Sequence, residues 1–414
     1  MLPKKIYLAA GYNTISMGSG RKEFNPKLER PGLKEYMREA GRGCLDQLSN
    51  KSIIDEVVIG NFMAARFNKQ GNLPGFAPFI DKMFLHKSAV SVEGACCSGG
   101  LALFSAIKSV LSGTLEASMA LGVEVQNTVK AIYGADILAG AACFEDRKSG
   151  HAYFFPGQFS LRAESYSKAY GADYFREAAC KWYINAIENA RLCHTAQEYQ
   201  NNKSYEDLRK FAMTRPNGSV FVDGLNLADC SKVSDGASSI GVFSEEGLKQ
   251  AGIDKKDSVE LISFAQVVRD ITQIPEDYNK LSTIKFAIEK ALKEAKISID
   301  KLATIELHDC FSVAGILIVE ALGYADQGKG AQFVIDGHTS RKGKIPVNTT
   351  GGLVGWGHPT GATGVHQAVT IWQQLTGKAE KAQIEIPSDK PYGMSINMGG
   401  DDVTVFVTIY KKVE

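Results

Sequence analysis

The run Ala95-Cys96-Cys97-Ser98-Gly99-Gly100 constrains the chain most. It sets a cysteine between a short β-branched stretch, Ser88-Ala-Val-Ser-Val-Glu-Gly94, and an apolar stretch beginning at Leu101. The first stretch reads as a buried strand. In the second, Leu103, Phe104, Ile107, Val110 and Leu111 share one helical face, and Gly113 stops the helix. Strand, glycine-rich turn and helix in that order put Cys96 beside the unpaired N–H groups of a helix N-terminus, where the dipole is expected to favour thiolate over thiol. Cys96 is therefore the candidate nucleophile, against the competing reading of a small buried core cysteine.

Strands and helices alternate on both sides of this unit. Strands are predicted over 6–10, 55–60 and 118–124, a helix over 33–48 and a loop over 66–78. Such alternation implies an α/β sheet covered by helices on both faces. Between 126 and 231 the texture changes: Tyr153, Phe154, Phe155, Phe159, Tyr166, Tyr170, Tyr174 and Phe175 cluster there, as in an insert with a small core of its own. The alternation then resumes, with strands over 260–268 and 303–307, a helix over 281–295, and a closing run over 403–410 that reads as a half-buried strand.

Three segments follow: an N-terminal half over 1–125 completed by 232–250, an inserted loop or substrate subdomain over 126–231, and a C-terminal half over 251–414. Laying Gly100, Ile107, Leu111, Ser112 and Gly113 on Gly364, Ile371, Leu375, Thr376 and Gly377 matches glycine turn to glycine turn and helix to helix. Duplication followed by face-to-face packing of the halves is the expected architecture.

A net charge of +1 supplies no broad field for nucleic acid or an acidic membrane surface. No apolar run approaches spanning length, and the basic N-terminal stretch is too short for a signal peptide. Eight scattered cysteines without a CxxC pair argue for a reducing compartment and against a disulfide framework or structural zinc. The expectation is a cytoplasmic protein with no metal, no nucleic acid and no membrane partner.

Three more stretches carry chemistry: His308-Asp309-Cys310-Phe311 after a predicted strand, a glycine-dense loop around Gly357-His358-Pro359, and Asn397-Met398-Gly399-Gly400-Asp401-Asp402 before the last strand. Two cysteines and two histidines on such turns are what a thiolate enzyme with a separate proton shuttle needs. The neighbouring glycines let main-chain N–H groups approach a reacting oxygen. Blander readings stand beside these. Cys310 alone fits an inert helix-start cysteine; His86, His151, His194, His338 and His366 fit surface or satisfied core positions; Gly352 to Gly357 imitates a dinucleotide loop. Arg147-Lys148 fits a solvated face as well as a site for coenzyme phosphates.

Together and in this order, the four motifs at Cys96, His308, His358 and Asn397 resemble the thiolase superfamily over nearly the whole chain. Within it the chain is most similar to the sterol-carrier-protein-x thiolases and the bacterial and archaeal acetyl-CoA acetyltransferases. The resemblance implies a thiolase fold of duplicated αβαβα five-layer halves with an inserted loop subdomain. It implies an acyl-CoA C-acyltransferase that cleaves a 3-ketoacyl-CoA, or runs the reverse Claisen condensation, through an acyl-cysteine. Coenzyme A is then co-substrate, and no cofactor is bound tightly.

By the same resemblance, Cys96 is the acyl acceptor, Cys97 a structural neighbour, His358 the base, and His308 a holder of the thioester or enolate oxygen. Gly399, with Cys96, offers oxyanion N–H groups, and Ser231 lies along the pantetheine arm. Asn397 stands where the usual thiolase has an acid/base cysteine, which transfers that role to Cys310. Asp401 and Asp402 have no part in this cycle and fit a turn or a helix cap. A homodimer or homotetramer is expected. Two alternatives remain: a subunit active only with a small zinc and OB-fold partner, and a condensing ketosynthase-like enzyme. The aromatic insert, Phe76 to Phe84 and Trp356 suggest an apolar or aromatic acyl group.

Overall fold

A computed structural model describes residues 2–147 and 150–413. Lys148 of the Arg147-Lys148 pair lies outside the described residues; Arg147 itself pairs with Asp136 at 3.1 Å. Among the described residues nine strands form: β1 (Ile6–Asn13), β2 (Glu56–Gly60), β3 (Ser88–Val92), β4 (Ala117–Glu124), β5 (Gly236–Ser244), β6 (Val259–Val268), β7 (Leu302–Glu306), β8 (Tyr392–Gly399) and β9 (Thr404–Lys412). Their order is β3-β2-β4-β5-β1-β6-β9-β8-β7. The arrangement β2-β4-β5-β1 is repeated, end for end, by β7-β8-β9-β6. A bridge from Val347 to Ile305, parallel like the β2–β3 pairing, stands beyond β7 where β3 stands beyond β2. The two sets meet antiparallel at Tyr7–Glu260 and Leu8–Val259.

Between the half-sheets lie the matched helices of the sequence repeat. For the helices used below, α1 is Leu33–Leu45, α2 Ser98–Leu111, α3 Phe154–Tyr170, α4 Ala172–Ala190, α5 Ser282–Ala295, α6 Ser312–Ala321 and α7 Thr363–Thr376. Helices α2 and α7 are 14 residues long each. They cross at glycine because nothing larger fits. A Cβ on Gly364 would stand 2.2 Å from the Gly100 nitrogen, and one on Gly99 would stand 2.7 Å from the Gly361 oxygen. Leu8, Val58, Ile107, Val365, Trp372 and Phe406 fill the space around the crossing. Outside, α1 covers the first half-sheet with Met37 and Leu45, while α5 and α6 cover the second. Five layers result, and each fully buried Leu, Ile or Phe between them contributes roughly 1.5–3 kcal/mol.

Four expectations are corrected. The run 88–94 is not a buried strand: β3 ends the sheet order, so Val90 and its serine neighbours are exposed. The closing strand is not half-buried, because β9 lies between β6 and β8 under helices on both faces and is buried from Val405 to Tyr410. Part of the stretch 66–78 forms short helical turns, Ala64–Phe67 and Leu73–Phe76, rather than an open loop. The aromatics of 126–231 do not make a separate core; Phe159, Tyr166 and Phe175 join Ile284, Ile316 and Val405 in the core of the second half.

Candidate active site

Four chain turns converge at one end of α2. Cys96 sits on the turn Ala95–Cys97, where Ala95 is held at φ +55, a conformation unusual for a residue with a side chain. The Ser98 hydroxyl ties this turn down by donating to the Ala95 oxygen at 2.6 Å and accepting from the Gly94 N–H at 3.0 Å. Cys97 points the other way, fully buried, with its sulfur 3.6 Å from the Asn397 oxygen. The end of β8 lies against the turn so closely that a Cβ on Gly399 would meet the Gly94 oxygen at 2.2 Å.

His308 leaves the end of β7 and is fully buried. Its Nδ1 lies 3.1 Å from Nδ2 of Asn397, which also donates to the Cys96 oxygen at 3.1 Å, while the Asn397 Oδ1 accepts from the Gly100 N–H at 3.1 Å. His358 comes from the glycine-dense loop. Its N–H donates to the Lys232 oxygen at 3.0 Å, and its own oxygen accepts from Gln126 Nε2 at 2.7 Å. The His358 Nδ1 lies 2.7 Å from the Thr363 hydroxyl. The two imidazoles stand edge to face, 5.1 Å apart and 84° between planes. Each has a buried Nε2 without a partner among the described residues. The Cys96 sulfur and one nitrogen of each ring all lie within 4.8 Å of one another, a spacing that would also suit a metal ion.

The remaining motif residues flank this centre. Cys310 is buried, and its oxygen accepts from the Ser231 N–H at 2.9 Å, so the segment carrying Ser231 runs directly beside it. That segment continues to Val233, which bridges to His358.

A family model described as "Thiolase C-terminal domain-like" matches residues 267–412. The chain is 32% identical to the acetyl-CoA acetyltransferase of Methanothermobacter thermautotrophicus, over 92% of this chain and 94% of that one. The chain belongs to the thiolase family. As a member it is an acyltransferase enzyme. Thiolase relatives include the benzoylsuccinyl-CoA thiolase subunit BbsB of Thauera aromatica, 26% identical over 93% of this chain and 92% of that one. Rat sterol carrier protein 2 is 30% identical over 78% of this chain and 58% of its own length. Among solved structures, one titled "Ltp2-ChsH2(DUF35) aldolase" has the same fold, with a TM-score of 0.74 and 19% identity over 100% of this chain and 99% of that one.

In this thiolase the charge state of the site departs from the dipole argument. The converging turns leave Cys96 half-buried, and desolvation pushes its thiol up to about 12, with the carboxylates of Glu124 and Glu93 adding to the rise. The N–H groups of Cys96 and Gly400 oppose this without overcoming it. Desolvation outweighs a partial charge at the helix end, so the resting nucleophile is a thiol. Cys310 is pushed well above the ordinary thiol value by burial and then by Cys96. Burial pushes His358 down to about 3, and pushes His308 well below its usual value with His358 as a further cause. Two neutral imidazoles thus stand beside the protonated Cys96 thiol, with the Cys310 thiol protonated as well.

Several supports lie outside the roles assigned from the sequence, and Asp402 takes the helix cap expected of it. Glu124, at the end of β4, accepts from the Phe62 N–H at 2.9 Å, the Gly361 N–H at 3.1 Å and the Thr360 hydroxyl at 3.0 Å, fixing the His358 loop against the first half-sheet. A carboxylate ending a buried strand was the available signal. Asp309, raised to about 7 by burial, accepts from Trp182 Nε1 at 3.0 Å and the Leu353 N–H at 2.8 Å, joining the His308 and His358 loops. Asp401 accepts from Arg162 Nε at 2.7 Å, and Asp402 accepts from the Thr283 and Ile284 N–H groups, capping α5.

Of the aromatic residues suggested as acyl contacts, Phe155 of the insert packs against the Cys96 turn, while Trp356, Phe79 and Phe84 lie elsewhere. Trp356 is fully buried, stacks on His366 at 3.5 Å and donates to the Thr195 hydroxyl, because the loop folds it inward. Phe84 is in the core under the first half-sheet, and Phe79 lies beneath Lys34 and Arg38. The apolar surface that does meet the Cys96 turn is Phe62, Ala95 and Ala141, with Met63, Leu138 and Phe155 packed against them.

Proposed function

We propose that this acyltransferase performs coenzyme A-dependent cleavage of a 3-ketoacyl-CoA, or its reverse condensation, through an acyl group on Cys96. The observation that carries this reading is the approach of the Cys96 sulfur to one nitrogen of each imidazole, all within 4.8 Å. His358 takes the thiol proton as the sulfur attacks the 3-keto carbon, because neither partner ionises alone in this enclosure. The developing alkoxide is held by the N–H groups of Cys96 and Gly399. Each such donor is worth about 3 kcal/mol of barrier. The bond between C2 and C3 breaks, the departing enolate oxygen is held at His308, and Cys310 supplies the proton to C2; the imidazolium of His358 then gives its proton to the Cys310 thiolate, which restores both groups. Coenzyme A, lying along Ser231 and deprotonated by His358, then takes the acyl group from Cys96. Reversing the steps joins two acyl-CoA molecules.

The test is intact-protein mass spectrometry after incubation with acetoacetyl-CoA or a bulkier 3-ketoacyl-CoA. Wild type gains the mass of the acyl group, and Cys96→Ala does not. An adduct that persists in Cys96→Ala sinks the assignment.

A second reading, that the chain works as one subunit beside a small zinc and OB-fold protein, is favoured by the names of its relatives: one is called a thiolase subunit, and one fold neighbour is titled as a two-component assembly. Adduct formation by the pure chain together with turnover only after a partner is added would mark this case. The open edge of β3 offers a surface for a second copy in a homodimer. The segments 1–125 with 232–250, 126–231 and 251–414 are the units we assign to the two halves and the substrate-facing insert, in a cytoplasmic enzyme.

A further inference from the structure

We propose that Asn397 is a positioning residue that holds His308 in the tautomer protonated at Nε2, and that this keeps the Cys96–His308–His358 cluster from binding a divalent metal. That the Nε2 proton serves an enolate oxygen rests on the function proposed above; the tautomer and the metal exclusion do not.

The Asn397 amide is oriented by two neighbours that each have only one hydrogen-bonding sense. The Gly100 N–H can only donate, so the amide atom 3.1 Å from it is the oxygen. The Cys96 carbonyl can only accept, so the amide atom 3.1 Å from it is the nitrogen. That same nitrogen meets His308 Nδ1 at 3.1 Å. Having nothing but hydrogens to offer, it requires a bare lone pair on Nδ1. The ring is fully buried and neutral, so its one proton is on Nε2, the atom that has no partner among the described residues.

His358 is set the opposite way. The Thr363 hydroxyl donates to the Pro359 oxygen at 3.2 Å and must accept from His358 Nδ1, which leaves the His358 Nε2 with a lone pair. One imidazole therefore presents a donor and the other an acceptor to the same small space.

Without Asn397 the same three side chains resemble a zinc centre. A thiolate and two imidazoles at this spacing, with one open position, are a familiar catalytic set. A histidine that ligates through Nε2, however, needs its proton on Nδ1 and a hydrogen-bond acceptor there. Asn397 presents a donor instead. Turning the amide over would set its oxygen against the Cys96 carbonyl and its NH2 against the Gly100 N–H. An aspartate at this position would present only acceptors, releasing the His308 lone pair to a metal. Ligation then exchanges the Cys96 thiol proton for the cation and liberates that proton to solvent.

The experiment uses the full chain labelled with 15N-histidine, with His308 resonances assigned by their loss in His308→Gln. Long-range proton–nitrogen spectra of wild type should show His308 protonated at Nε2 and bare at Nδ1, with His358 reversed. A His308 protonated at Nδ1 overturns the proposal. In parallel, wild type and Asn397→Asp are titrated with Co2+ alone while the sulfur-to-cobalt charge-transfer band is followed. Asn397→Asp should bind one Co2+ at least tenfold more tightly than wild type, and adding Cys96→Ala should abolish its band. A saturating, Cys96-dependent band in wild type at stoichiometric Co2+ overturns the proposal even if the aspartate variant does not fold. If instead no 3-ketoacyl-CoA ever modifies Cys96 while these spectra hold, the functional reading fails and this inference survives.

Discussion

The Thr363 hydroxyl lies 2.7 Å from Nδ1 of His358 and hands its own proton to the Pro359 oxygen, so a side chain on the first turn of the central helix α7 decides which nitrogen of the base is free. The same helix crosses α2 at Gly364, one residue later, with Gly100 against it. The base and the turn that carries the nucleophile are therefore set by one helix crossing.

Replacing Thr363 by Val removes the acceptor for His358 Nδ1–H while keeping the volume. The expected result is a 10–100-fold slower acylation of Cys96 in single-turnover mass measurements, the range seen when a partner that orients an imidazole is lost. Thr363→Ser should stay within about threefold of wild type, since the hydroxyl remains. Equal losses in the two variants would assign the effect to packing.

Alkylation of Cys96 by iodoacetamide reports its thiolate. With the thiol pushed up to about 12 and His358 down to about 3, the pair is neutral at pH 7. A raised thiol value means that the reactive form is scarce at low pH and grows as pH rises toward 12. The alkylation rate should therefore climb through pH 9 without a plateau below it. A plateau near pH 6 to 8 would reveal a thiolate–imidazolium pair and contradict the enclosure argument.

Much of this was legible beforehand because the elements that matter have strong local patterns. The apolar face from Leu103 to Leu111 and its stop at Gly113 fix α2, and the echo at Gly364 and Gly377 foretells α7. What was not legible depends on which neighbour a residue meets. The run 88–94 has the composition of a buried strand, but nothing in that composition says that it ends the sheet. Trp356 sits two residues from His358, and only the left-handed Gly357 between them turns one inward and the other toward Cys96. The thiolate expectation failed in the same way. A helix terminus can be read from a sequence, whereas the desolvation of the Cys96 thiol and the approach of the distant Glu124 carboxylate cannot.

Arg162 and Asp401 test how the insert holds the site. Both are buried, and Arg162 also donates to the Tyr278 and Lys280 oxygens, so α3 is bolted to the turn that follows Gly399 and Gly400. Arg162→Met leaves the Asp401 carboxylate enclosed without its cation. The expected cost is about 3–5 kcal/mol in denaturant unfolding. Arg162→Met combined with Asp401→Leu should recover much of it, because the desolvated charge is then gone as well. A double variant as unstable as the single would locate the cost in the lost carbonyl contacts.

Acyl selectivity should follow the cluster that meets the Cys96 turn. Ala95 adjoins the nucleophile and packs with Phe62 and Ala141, while Met63, Leu138 and Phe155 are only partly buried against them. Partly exposed apolar side chains beside a reacting sulfur gain from covering an apolar acyl group, at roughly 0.8 kcal/mol per buried methylene. Wild type should therefore favour a longer 3-ketoacyl-CoA over acetoacetyl-CoA in kcat/KM. Leu138→Trp fills that space and should reverse the order, lowering the longer substrate at least tenfold while changing acetoacetyl-CoA little. Equal losses for both substrates would mean that the substitution disturbs the Cys96 turn itself, and an unchanged ratio would remove this cluster from the acyl path.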